Sequence, residues 1–400
     1  MRVLLNIVYW IGIFVAGVLA LKYAIAPVSY VVLGIAAVGL AISIFKSVKS
    51  DDYLKGTLAL NKSRNIPVYD FIRVFAVISV ITIHVLSLDL VFAAGYENTL
   101  YYKTLDFIVW WCLNCNIIFV MLSGALLLPY RDETVLTFYG KRLSKIVIPL
   151  IVYYLWYSWA FGQITGAASL PNVFKKLATA DFSDNATDHF WLVYVLIAVY
   201  ILIAFLRPML KNYPYKFLTG LVIATVLILT FFTYVPFNIE MDGIYLGWVL
   251  VAVVGFWCAK DETRKYDTVL IIIGILSSIL MWVIYRFDSS YGLTLSNLSP
   301  YRLLVAMGVF AFFFKIKDKL KSLYLIRLIS KYSYGIMLVH YWVVGYLEMK
   351  IGINSSTRWT GAYPLLSIIV ALILSLIVAY LIDNFVCVIF TAAIDLLKKK

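Results

Sequence analysis

Residues 70–90 read DFIRVFAVISVITIHVLSLDL. Behind Asp70 and Arg73 the stretch is apolar for long enough to span a bilayer, which takes about 17 to 25 residues. Similar runs recur on both sides of it, at 3–22, 27–45, 107–128, 146–164, 190–206, 217–235, 243–259, 268–285, 299–314, 329–347 and 363–388, with short polar breaks between them. The composition agrees: 63% of the 400 residues are hydrophobic and 14% charged, against about 45–50% and 25% in a soluble chain. The surplus must face lipid. The fold class is therefore all-α, a polytopic transmembrane helical bundle of about twelve helices.

Suppose the N-terminus is cytoplasmic and each span crosses once. Of the 34 Lys and Arg residues, 25 then fall on inside stretches and eight on outside stretches or their flanks, with Arg73 inside a span. Arg302, at the start of the short span 299–314, is sorted with the outer flanks. Positively charged loops stay cytoplasmic during insertion, so the split supports the span count and a multi-pass cell-membrane protein with both termini cytoplasmic. The net charge of +13 follows from the same rule and requires no nucleic acid partner. The basic loops also suit anionic inner-leaflet lipids.

Three parts follow: a transmembrane hairpin at 1–45, a charged cytoplasmic linker at 46–69 and a core at 70–400. Ala24-Ile25-Ala26 has the small-x-small form of a signal-peptide cleavage site, although the run from Val3 is long for a signal core and an uncleaved hairpin explains it as well. Cys112 and Cys115 form a C-x-x-C inside a predicted helix with no second pair nearby, which reads as packing rather than a metal or redox site. No metal site is expected. Asn185-Ala186-Thr187 matches a glycosylation sequon, a pattern common by chance. No matched pair of broken helices, the mark of many transporters, is visible.

Ionisable groups at membrane depth are costly, so each is a functional hypothesis. Arg73 and His84 lie about 16 Å apart along one helix and on the same face, with Asp70 a turn below Arg73 where the two can pair. Arg73 could instead snorkel to the headgroups, and His84 could hydrogen-bond across helices, but imidazole is the side chain best suited to moving a proton near neutral pH. Arg142 and Lys145 stand three apart at a cytoplasmic helix start, where they either hold phosphates or serve topology alone. His189 and Trp191 open the span at 190–206. Trp191 there is either functional or an interfacial belt residue. His340, in the eleventh span, should reach the depth of His84.

These pieces resemble the integral membrane acyltransferases of the acyltransferase-3 family, which O-acylate sugars and glycans. The resemblance rests on Arg73-x10-His84 with Asp70 before it, on Phe119-Val120-Met121-Leu122-Ser123-Gly124, and on Arg142-x-x-Lys145 with Pro149. It continues in His189-Phe190-Trp191-x-x-Tyr194 and Tyr332-Ser333-Tyr334-Gly335-Ile336-x-Leu338-x-His340. Five motifs occur in order over residues 65–345. Two departures stand out. A lysine at 145 replaces the usual second arginine, keeping the charge but losing the planar fork, and the chain ends at Lys400 without the esterase-like domain fused to some relatives.

The resemblance implies a donor and a mechanism. Acyl-CoA, with acetyl-CoA the expected form, would bind from the cytoplasm with its phosphates near Arg142, Lys145 and Arg73, while Asp70 orients Arg73. His84 would be the general base, and Ser123, Tyr334 and His340 are the candidates for an oxyanion donor. His189 and Trp191 would hold the acceptor, a surface glycan or a lipid-linked sugar, together with any partner proteins of glycan assembly. The rival class is a transporter or flippase exporting such a glycan. A structural scaffold would leave Arg73 and His84 without a reason.

Overall fold

The structure, a computed structural model, describes residues 66–92, 97–129, 133–160, 170–181, 187–234, 245–288, 291–347 and 362–388. The expected hairpin at 1–45, almost all of the linker, the sequon asparagine and the terminal lysines lie outside the described residues. Within them the chain is helical, without a strand. The long helices are α1 (Pro67–Phe92), α2 (Leu100–Cys112), α3 (Asn114–Leu127), α4 (Val135–Ala160), α5 (Leu170–Thr179), α6 (Trp191–Leu210), α7 (Tyr215–Tyr234), α8 (Tyr245–Cys258), α9 (Asp267–Phe287), α10 (Pro300–Lys315), α11 (Tyr324–Tyr346) and α12 (Ala362–Leu381). Each apolar span expected between 70 and 388 has most of its described residues on these helices, 107–128 on two of them. By length and composition, six segments could cross a membrane: Pro67–Leu88, Leu100–Leu127, Asp188–Leu210, Tyr215–Tyr234, Asp261–Phe287 and Pro364–Val386.

Local chemistry sets several helix starts. Thr99 caps α2, its hydroxyl accepting from the Tyr102 N–H at 3.2 Å, and Ser299 caps α10 in the same way ahead of Pro300, a first-turn position where proline loses nothing. Packing follows from which faces are small. Helix α1 is central and touches α2, α3, α10, α11 and α12. Gly124 and Gly255 let α3 and α8 meet backbone to backbone: a Cβ on Gly124 would lie 1.7 Å from the Ala252 carbonyl oxygen, and one on Gly255 2.0 Å from that of Met121. On the perimeter, α9 turns Val269, Ile272, Ile275, Leu276, Ile279, Leu280 and Val283 outward. Such an apolar stripe is at home against lipid rather than water.

The stretch 107–128, expected as one continuous span, is broken at Leu113 into α2 and α3. A break at this depth frees carbonyls that must find donors inside the protein. Asn114 Nδ2 donates to the Trp111 carbonyl at 2.5 Å, and Arg302 Nη1 donates to that of Trp110. Arg302 Nε is shared between the carbonyls of Leu295 (2.9 Å) and Ser296 (3.0 Å). Arg302 is therefore a buried capping group rather than a solvent-facing cation. It is buried at 0% exposure, with one donor on the break and another on the carbonyls that precede α10.

Candidate active site

Three elements deliver the three histidines of the chain to one place. His84 comes from α1 and His340 from α11. His189 comes from a 3-10 turn, Asp188–Phe190, that leads into α6. That turn is pinned by Phe190, which is fully buried with its ring 6.0 Å from that of Tyr154 and 5.4 Å from that of Tyr157. The His84 and His340 rings lie 4.9 Å apart, those of His189 and His340 5.4 Å, and those of His84 and His189 6.3 Å. Tyr341 forms a wall against both His84 (5.0 Å) and His189 (5.2 Å). All three histidines line a cavity of about 410 Å³, with Trp191, Asn116, Cys115, Ser87 and Asp188 among its other walls.

Hydrogen bonds fix how two of these rings present themselves. His340 Nδ1 lies 2.7 Å from the Met337 carbonyl and 3.2 Å from that of Ile336. His189 Nε2 lies 3.1 Å from the Leu338 carbonyl. A carbonyl only accepts, so each of these nitrogens carries the proton and the other nitrogen of each ring is a bare acceptor. Both bare nitrogens, His340 Nε2 and His189 Nδ1, are buried without a hydrogen-bond partner. One turn of α11 thus orients two rings that face His84.

The expected oxyanion donors all have their protons engaged in this structure. His340, while neutral, has spent its N–H on the main chain. Tyr334 donates its hydroxyl proton to the Ile146 carbonyl at 3.0 Å. Ser123 donates to the Phe119 carbonyl at 3.0 Å, so in its 3.4 Å contact with the Tyr200 hydroxyl it can only accept. Each has one proton and a main-chain carbonyl already holds it. Neither Ser123 nor Tyr334 lines the cavity.

Toward the other end of α1, Ser330 of α11 is inserted between Asp70 and Arg73. Arg73 Nη1 donates to Ser330 Oγ at 2.8 Å, Ser330 Oγ donates to Asp70 Oδ1 at 2.6 Å, and the direct Arg73–Asp70 distance is 3.8 Å. Ser330 and His340 share α11 as Arg73 and His84 share α1, so both helices run from the charged group to the cavity. On α4, Arg142 is half-buried and Lys145 exposed. Ile146, which follows them, bonds Tyr334 one turn above Ser330, placing this part of α4 at the same end of the bundle. A second cavity of about 300 Å³ opens there, lined by Tyr69, Lys211 and Lys260 with apolar neighbours.

His84, His189, Trp191 and His340 are thus gathered at one cavity, which Arg73, Asp70, Arg142 and Lys145 do not line. Sequence reasoning missed Ser330, Asn116 and the capping role of Arg302. Only the unusual depth of Arg302 in an apolar run could have signalled it. Among the described residues no three His, Cys, Asp or Glu side chains converge as metal ligands would. A family model described as an acyltransferase domain, Acyl_transf_3, matches residues 66–384. No curated protein and no solved structure matches the chain.

Proposed function

Because the chain belongs to the acyltransferase-3 family, and is thereby a multi-pass membrane acyltransferase, we propose that it moves an acyl group, acetyl in the first instance, from cytoplasmic acyl-CoA to a sugar hydroxyl. The acceptor in this reading is a cell-surface glycan or its lipid-linked precursor. The observation that carries the proposal is His84 lining a cavity with two other histidines, on the same helix face as a cation at the opposite end. His84, as general base, takes the proton of the acceptor hydroxyl while that oxygen attacks the thioester carbon. Asp70 and Ser330 hold the Arg73 guanidinium in place. Arg142, Lys145 and Arg73 hold the donor's phosphates, with Lys211 and Lys260 lining the neighbouring cavity. His189 and Trp191 position the acceptor.

Both termini are cytoplasmic in this reading. A cysteine placed at Asp181 should be labelled by an impermeant reagent from outside and one at Lys319 should not; the reverse pattern would move the donor to the other side. The decisive experiment is an acyl-CoA turnover assay on the purified protein. Acyl transfer or slow acyl-CoA hydrolysis is the expected result. Glycan movement without acyl chemistry would favour the transporter reading, to which the helix break at Leu113 lends a structural point.

A further inference from the structure

Acyl transfer places a full negative charge where this cavity has no obvious group to receive it. As the acceptor oxygen bonds to the thioester carbon, its proton passes to His84 and the carbonyl π pair moves onto the carbonyl oxygen. On collapse that pair restores the C=O bond, the C–S bond breaks with its electrons on sulfur, and the proton on His84 goes to the thiolate, giving an ester and a thiol. In an apolar cavity the transient oxyanion needs a fixed N–H or O–H aimed at it. His189 and His340 have each given their N–H to a main-chain carbonyl, so neither has a proton left for that charge. Ser123 and Tyr334 have already given their protons to carbonyls.

We propose that Asn116 is the missing catalytic residue, its carboxamide donating the hydrogen bond that receives the oxyanion; this rests on the acyltransfer reading above. Asn116 sits in the first turn of α3, 8% exposed, and lines the same cavity as His84. Its Nδ2 donates to Asn297 Oδ1 at 3.2 Å. An amide nitrogen carries two hydrogens, so one remains for a ligand. Its Oδ1 accepts from the Cys115 thiol at 3.6 Å. Of the polar side chains lining the cavity, Asn116 is the one clamped at both ends of its amide among the described residues, and a clamped donor costs little reorganisation when charge appears. The break at Leu113 adds a field of the right sign. It makes the wall of the cavity the N-terminus of a 14-residue helix, whose dipole is positive there. The opposing carbonyls at the end of α2 are masked by Asn114 and Arg302.

Two substitutions test this in the full-length protein. Asn116→Leu keeps the size and removes every donor, and should lower kcat about 10²- to 10³-fold with the KM for acetyl-CoA unchanged. Asn116→Asp keeps the shape and donates only while its carboxyl is protonated, so its kcat relative to the wild type should climb as the pH is lowered. The second readout stands even if the leucine variant does not fold, because it is a ratio followed within one variant. A leucine variant with kcat within about three-fold of the wild type, or altered only in KM, would overturn the proposal, as would an aspartate variant whose ratio is flat with pH. A wild type that never turns over acetyl-CoA would sink the acyltransfer reading itself. A competent wild type beside indifferent Asn116 variants would sink this assignment alone.

Discussion

The two ends of α1 solve the problem of polar groups in an apolar bundle in opposite ways. At Asp70 and Arg73 the charges satisfy one another, with Ser330 inserted from α11 as donor to one and acceptor from the other. At His84 the surrounding rings satisfy the main chain instead, each giving its N–H to a carbonyl of residues 336–338 and turning a bare nitrogen inward. A closed network resists change, and buried acceptors without partners call for a ligand that brings donors. In the proposed reading the first end holds charge in place and the second meets a reacting group. The contrast is one between binding and turnover, and it can be broken by measurement.

The largest effect belongs to the cavity end. His84→Ala should lose about 10² to 10⁴ in turnover while inserting normally and still binding acyl-CoA, measured at matched membrane abundance. His340→Ala should lose less, or lose stability instead, because its role is set by its hydrogen bonds to the α11 turn. If His84→Ala turns over normally and His340→Ala is dead, the base belongs to α11.

A smaller effect is expected among the cations. Arg142→Ala should raise the KM for acyl-CoA more than it lowers kcat, as loss of uniform binding does, and Lys145→Arg should keep most activity because the charge stays. An unchanged KM in a well-folded Arg142→Ala would return these residues to a purely topological role. The smallest effect should come from Ser330→Ala, which leaves the Asp70–Arg73 pair in place but removes a bridging hydroxyl, at about 1 kcal/mol. Thermal unfolding in detergent should detect that loss with kcat little changed. A collapse of kcat in this variant would instead tie the charged end to the chemistry and erase the distinction.

The sequence makes the helices legible because lipid tolerates little ambiguity: long apolar runs with basic breaks have one reading. Arg73 and His84 are legible as a pair because one helix carries both, so spacing alone gives their relation. His189 and His340 are legible only as motifs, since their meeting with His84 depends on how α6 and α11 pack. The break at Leu113 is hidden because Leu113-Asn114-Cys115-Asn116 adds too little polarity to interrupt an otherwise apolar run. Hidden with it are the purpose of Arg302 and the presentation of Asn116. The committed protons of Ser123 and Tyr334 are invisible in sequence as well, because a hydroxyl reads as a donor until its carbonyl is seen.

The helix break also has a consequence for biogenesis. The carbonyl of Trp110 finds its donor in Arg302, 192 residues further along the chain. A ribosome emits the intervening helices first, so the nascent α2–α3 segment must sit in the translocon or the lipid with an uncapped kink until α10 arrives. Chains stopped after Thr294 should therefore be recognised by membrane quality control and cleared faster, in pulse-labelling, than chains stopped after Phe314. Equal lifetimes would mean that the α2–α3 kink forms only late, from a span that inserts as an unbroken helix.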